Sequence, residues 1–344
     1  MSFMKVLFII LIVLLVLVFL YLAIGISITA IINRKLFGVR GKDPSHPCYV
    51  HFEDYLFLSR FSYETKFEDA MIRGYVYQES GRSSFKGFVI LSHGLFGSHA
   101  QYLVDVAYLA KAGYRILCFD QYGVGLSGGD SQVSLYHGIP VLDAVIKDVE
   151  KRRLNDDLPL ILYGHSWGAY CSLGVLGMHP EIQKAVLRSG PVSPVKAALG
   201  LLYMKSKALY WFMKPGLGLF MLLLFGRKSL TCSTKGISKN KNTEILVVYA
   251  KNDPMVRYGN SQYAYFSRKD RAKLCLSKKG LHNSIITEES YASFINLHKE
   301  YHRIEKMEDE NEKARSEKAF YASMDRAGLV EYSSVKDEIL EFLG

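Results

Sequence analysis

A chain of 344 residues with 49% apolar side chains can hold one large mixed α/β domain or two small ones, each with a substantial core. Its five cysteines, at positions 48, 118, 171, 232 and 275, are scattered and odd in number, which excludes a disulfide framework or a zinc spacing and agrees with a reducing compartment. The net charge of +10 raises a nucleic-acid reading, but the basic residues gather in 226–241 and 267–279 without the interleaved aromatics of a nucleic-acid module. We expect no nucleic-acid partner, and a basic surface that either faces anionic lipid headgroups or is solvated charge with no partner.

From Val6 to Ile24 the chain reads "VLFIILIVLLVLVFLYLAI" without a charge, and its apolar character continues to Ile32. That length crosses a bilayer with some tilt. A secretory signal has a shorter apolar region, and no small-residue cleavage site follows, so residues 1–33 read as a retained single-pass anchor in the cell membrane. Lys5 precedes the span, and Arg34, Lys35, Arg40 and Lys42 follow it. The positive-inside rule then puts the catalytic part in the cytoplasm, although a short N-terminus also suits a signal-anchor of the opposite orientation. Residues 34–48, which include "GKDPSHP", read as a linker with turn residues.

Two β-prone runs come next, "DYLFLSRFSYE" and "AMIRGYVYQES", divided by the polar "TKFED"; they predict an antiparallel start to a sheet. Strand and helix then alternate. Strands are expected at 88–94, 114–120, 158–163, 184–190, 244–253 and 272–278, and helices at 99–112, 134–153, 166–178 and, amphipathic, 333–343. Such alternation predicts a mostly parallel central sheet with helices on both faces. The connection at 191–243 is too long to lack structure of its own, and its Leu, Met, Tyr and Phe residues with Trp211 predict a helical cap broken in two at Pro215-Gly216. Such a cap is either a second wing of the core or a lid whose apolar inner face makes an acyl-sized pocket. Its "GLGLFMLLLF" is too short for a second membrane span. At 286–325, mixed charges at three- and four-residue spacing read as a long solvated helix with ion pairs, serving either as a docking arm for a protein partner or for solubility.

The stretch "LPLILYGHSWGAYCSLGVL", beginning at Leu158, joins a buried strand to a helix through Gly164-His165-Ser166-Trp167-Gly168. In that setting G-x-S-x-G is a nucleophile elbow: Ser166 sits on a sharp bend above the sheet edge, and the glycines let the two backbones meet. A serine hydroxyl needs a base to accept its proton, and the base needs an acid to fix its tautomer. Both belong on loops past the ends of late strands. Asp253, closing "EILVVYAKND", and His282, in "KKGLHNS", stand in such places, in that order; Asp270, inside a basic stretch, is the competing acid. Donors for the developing oxyanion are the backbone N–H of Trp167 and that of Leu95 in "SHGLFGS", where Gly94 and Gly97 let the loop curl toward the serine. His298 and His302 stand four apart on a predicted helix, a metal-ligand spacing, but no third ligand accompanies them. No metal and no cofactor is expected.

The ordered set "LSHGLFG", "FDQYGVGLSGG", "GHSWG", "KNDPMV" and "GLHNS" resembles the α/β-hydrolase superfamily, nearest its membrane-anchored and serine-aminopeptidase-like members, over residues 50–290. The resemblance implies the α/β-hydrolase fold for residues 49–344, with Ser166 as nucleophile, Asp253 as acid, His282 as base, and Leu95 and Trp167 as oxyanion donors. It also implies that Asp120, Gly123, Gly125 and Ser127 form a structural turn, in which Tyr122 stands where relatives carry arginine. A serine at the elbow, not an aspartate, argues against the dehalogenase and epoxide-hydrolase branches. The insertion at 286–325 departs from the family pattern. The implied activity is hydrolysis of a small-molecule or lipid-like carboxylic ester through an acyl-enzyme. A serine exopeptidase of the proline-iminopeptidase type, and a hydrolase-fold binding module without catalysis, are the alternatives.

Overall fold

The computed structural model describes residues 3–41, 46–278 and 280–344. Strands β1 (Leu58–Phe67) and β2 (Ala70–Glu79) form an antiparallel hairpin, followed by β3 (Gly87–Ser92), β4 (Tyr114–Phe119), β5 (Leu160–His165), β6 (Lys184–Arg188), β7 (Glu244–Ala250) and β8 (Lys273–Ser277). They make one sheet in the order β1-β2-β4-β3-β5-β6-β7-β8, parallel from β4 to β8. The polar "TKFED" does not divide the first two strands as expected. Thr65 pairs with Ile72 and Lys66 with Met71, and the chain reverses at Glu68, with φ +50. On an edge strand the outward side chains meet water, so polar residues fit within the strand.

Side chains alternate across the sheet. Phe88 and Ile90 of β3 enter one core with Phe119 and Leu162, covered by α3 (Gly138–Lys151) and α4 (Trp167–Val175). Val89 and Leu91 enter the opposite core with Ile116 and Tyr163, covered by α2 (Leu103–Lys111) and α11 (Val335–Leu343). After β3 the chain moves to β4 on one side, and from β5 it proceeds on the other. The loops leaving β3 and β5 therefore diverge, which opens a crevice at the carboxyl ends of these strands.

Helix α1 (Phe3–Phe37) is longer than the span expected at 1–33. Residues 3–20 are exposed on every side, but from Tyr21 a packed face recurs, with Gly25 and Thr29 buried and Ile32 and Leu36 half-buried. This half of the helix packs on the cap, where Tyr21, Leu22, Ile26 and Ile32 meet Leu202, Met213, Leu217 and Phe220. The segment beyond it is docked as well. Arg40 donates to the carbonyls of Gly129 (2.7 Å), Gly125 (2.7 Å) and Ser127 (2.6 Å), and Gly41 N–H donates to Gly123 O (2.8 Å). The linker reading at 42–45 lies outside the described residues.

The cap has three helices, not two: α5 (Pro194–Lys205), α6 (Lys207–Met213) and α7 (Leu217–Phe225). The additional break falls at Ser206, whose hydroxyl accepts from Leu209 N–H and so caps α6. A short helix, α8 (Gln262–Phe266), follows β7. The charged insertion is likewise not one solvated helix. It folds as α9 (Glu288–Glu305) and α10 (Glu310–Ala322), whose Ile304 and Phe320 bury Cys48 between them. Just after it, Arg326 pairs with Asp54 at 2.8 Å. Few apolar residues lie in this stretch, but they fall where the two helices meet the chain leaving α1.

Candidate active site

Ser166 lies between β5 and α4 with φ 54 and ψ −111, a backbone conformation that a side chain rarely adopts. The flanking glycines make the bend possible: a Cβ on Gly164 would stand 2.5 Å from Gly168 C, and one on Gly168 would stand 1.9 Å from Ser92 O. Ser166 N–H donates to Arg188 O at 2.8 Å, tying the elbow to β6. Trp167 is the first residue of α4, so its N–H belongs to the helix end whose donors lack intrahelical partners. The loop after β3 lies alongside, since a Cβ on Gly94 would approach Ser166 Cβ to 3.4 Å. Gly97 N–H closes that loop on Gly94 O at 3.1 Å, and Leu95 lines the same cavity as Ser166 and Trp167. Leu95 and Trp167, which follow different strands, thus meet Ser166 at one cavity.

Asp253 and His282 meet past the ends of β7 and β8. His282 Nδ1 lies 2.8 Å from Asp253 Oδ2 and 3.0 Å from Oδ1. Asp253 Oδ1 also accepts from the N–H groups of Met255 (2.8 Å) and Val256 (2.9 Å), so the turn "DPMV" fixes the carboxylate. A carboxylate held this way keeps the proton on Nδ1 and leaves Nε2 as the basic atom. His282 lines the cavity with Ser166, and its ring centroid lies 4.8 Å from that of His165. Asp270 is exposed and precedes β8, at the end of the sheet away from this cavity.

Several supporting residues had no separate signal in the sequence. His165, inside the elbow, connects the two sides of the site: Gly94 N–H donates to Tyr102 Oη (2.8 Å), Tyr102 Oη lies 2.6 Å from His165 Nδ1, and His165 Nε2 lies 3.1 Å from His282 O. Burial holds the His165 pKa well below its ordinary 6.5, so the ring is neutral, taking the Tyr102 proton at Nδ1 and donating from Nε2. Ser189 Oγ donates to the same His282 carbonyl at 3.0 Å. Beneath them Arg188, fully buried, pairs with Asp105 and donates to Asn283 Oδ1 at 2.7 Å. Burial disfavours the Arg188 charge, and Asp105 more than restores it.

The turn implied by the resemblance is present. Asp120 accepts from His99 Nδ1 (2.9 Å) and from the N–H groups of His99 (2.6 Å) and Leu126 (2.8 Å), while Ser127 Oγ donates to Asp120 O (2.6 Å). Burial raises the Asp120 pKa, but the His99 contacts outweigh it and hold the carboxyl below its usual range. Tyr122 instead donates to Asp69 at 2.9 Å, and Arg40 supplies the guanidinium that braces this turn.

The cavity above Ser166 has a volume of about 1060 Å³. Its wall combines Leu202, Leu217 and Met221 of the cap with Ile32 and Leu36 of α1 and Phe294 of α9. No Asp or Glu lines it among the described residues, whereas Lys35 and Lys205 do. Metal-ligand spacing between His298 and His302 leads to no joint site. His298 stacks on His46 with centroids 4.9 Å apart, and His302 faces Glu305 at 3.4 Å. His46, Cys48 and His298 do bring ligand atoms within 4.8 Å of one another, but burial raises the Cys48 pKa to about 11, which favours the thiol over the metal-binding thiolate.

A family model described as serine aminopeptidase, S33, matches residues 83–219, from β3 to within α7. Two crystal forms of an esterase from Pyrococcus furiosus superpose with TM-scores of 0.55 and 0.53, at 22% and 21% identity, over 71% of this chain and 90% and 91% of the esterase. The chain has the α/β-hydrolase fold. At this identity the likeness to the esterase is one of fold. The chain is also 30% identical over 117 residues to a proline iminopeptidase of Saccharolobus solfataricus, a match that spans 33% of this chain and 36% of that protein.

Proposed function

We propose that this hydrolase cleaves carboxylic esters with an apolar acyl chain through an acyl-enzyme on Ser166, while α1 holds it at a membrane. Ser166 Oγ attacks the ester carbonyl as His282 Nε2 takes its proton, and Asp253 stabilises the imidazolium. The N–H groups of Leu95 and Trp167 receive the oxyanion. Collapse expels the alcohol, which takes the proton from His282. Water, deprotonated by His282, then releases the acid and restores Ser166. The observation that carries this reading is the Asp253–His282 pair at 2.8 Å, opening on the apolar cavity that Ser166 also lines.

The family model and the archaeal relative favour a second reading, an exopeptidase. Such an enzyme must hold a substrate ammonium, which calls for a carboxylate in the pocket. The cavity wall is apolar with two lysines and, among the described residues, no acid, which supports the ester. Parallel assays with p-nitrophenyl acyl esters and aminoacyl amides separate the two. We expect ester turnover that Ser166→Ala abolishes; turnover of amides alone would establish the exopeptidase, and silence on both would leave a binding module. The basic residues after the apolar span, Arg34, Lys35 and Arg40, favour a cytoplasmic catalytic domain. Protection from external protease in intact cells is the expected result, and cleavage would reverse the orientation.

A further inference from the structure

The same helix that reads as a tether is also built into the substrate cavity. At about 1.5 Å per residue, the 35 residues of α1 extend well past the roughly 20 that a bilayer core takes up. The exposed residues 3–20 account for that span, and the docked half begins where they end. At this point Tyr21 donates to Phe212 O at 3.2 Å, with their ring centroids 5.2 Å apart. One turn on, Gly25 lets α7 approach: a Cβ there would stand 2.2 Å from Phe220 Cε2. Two turns further, Thr29, Ile32, Asn33 and Leu36 line the cavity together with Ser166 and His282. The contact between α1 and α7 therefore runs as a seam from the bilayer-length segment to the cavity that Ser166 lines.

The outer side of the cap fits the same arrangement. Trp211, Phe212, Leu219 and Leu223 are exposed on α6 and α7, beside the point where Tyr21 meets the cap. Lys207 and Lys214 border them, and Lys214 Nζ sits 4.5 Å over the Trp211 ring. Aromatic and apolar side chains with lysines at their margin suit the interfacial layer of a bilayer with anionic headgroups.

We infer that α1 forms one wall of the acyl site, and that a long-chain acyl ester resident in the bilayer reaches Ser166 along the α1–α7 seam, with the Trp211–Leu223 surface seated in the interface. This rests on the serine-hydrolase reading for its chemistry, but not for the location of the chain. The test uses the full-length protein in phosphatidylcholine vesicles containing umbelliferyl palmitate with a diazirine on its acyl chain. In the Ser166→Ala protein, where the probe is not consumed, irradiation should label α1 at 29–36 and the cavity side of α7. Labelling confined to residues 3–20, which any lipid-exposed helix would give, overturns the proposal. In the active protein, Leu219→Lys combined with Leu223→Lys should lower the ratio of palmitate turnover in vesicles to umbelliferyl acetate turnover in solution by about tenfold. An unchanged ratio also overturns it. If the wild type hydrolyses neither ester, the catalytic reading fails and the labelling pattern alone decides the route.

Discussion

At the scale of single residues, the arrangement around Ser166 rests on buried side chains that hydrogen-bond across it. Tyr102 and His165 form a hydrogen-bonded bridge from the loop at Gly94 to the backbone of His282. Removing the phenol hydroxyl in Tyr102→Phe strands two buried partners and loosens both sides of the serine. We expect kcat to fall by up to about a hundredfold with KM little changed. A loss of thermal stability with kcat intact would assign Tyr102 to packing alone. Burial also lowers the pKa values of His93 and His165 below 6.5, so both are neutral in the fold. On acidification the unfolded chain takes up these protons first. Stability is therefore full above the ordinary histidine pKa and declines as pH falls through it, by about 1.4 kcal/mol per pH unit for each histidine. Denaturant titrations between about pH 7 and pH 5 should show this slope, reduced in His165→Gln; an identical slope in the variant would contradict the assignment.

At the scale of elements, the insertion at 286–325 behaves as a buttress. Phe320 of α10 and Ile304 of α9 enclose Cys48, and Phe294 of α9 reaches the cavity wall. Phe320→Ala should cost about 3–5 kcal/mol and make Cys48 reactive toward an alkylating reagent. Alkylation of Cys48 at equal rates in both proteins would show that the helix pair does not cover it. The β-strands and the elbow were legible in the sequence because their signals are local: apolar runs of strand length, and glycines where backbones nearly touch. The buttress was not, since Ile304 and Phe320 are sparse apolar residues among charges and gain meaning only when two helices close on a distant segment. Ser206 is hard to read for a different reason. A lone serine between apolar runs is a weak stop signal until its hydroxyl is seen to accept from Leu209 N–H. Asp253 and His282 were readable from their order and their places after strands. Their supports, His165, Tyr102 and Arg188, were not, because hydrogen bonds across 63 to 117 residues leave no trace in spacing.

At the scale of the whole molecule, α1 joins two environments. Its first half is surrounded by no protein, and its second half completes the packing of the cap. Truncation before Tyr21 should leave a folded protein, whereas truncation past Ile32 should expose Leu217 and Phe220 and drive aggregation. Size-exclusion chromatography of the two truncations checks this, and equal solubility would mean that the α1–cap contact contributes little. The turn braced by Arg40 extends the same connection to the rim of the sheet, so α1, the cap and the loops around the cavity form one unit. The central claim is that an activated serine stands at the floor of that unit. Its most direct test is mapping the adduct of a fluorophosphonate probe on the full-length protein by peptide mass spectrometry. We predict a single adduct on Ser166, formed far more slowly in His282→Ala; an adduct on another residue, or undiminished labelling without His282, would contradict the account.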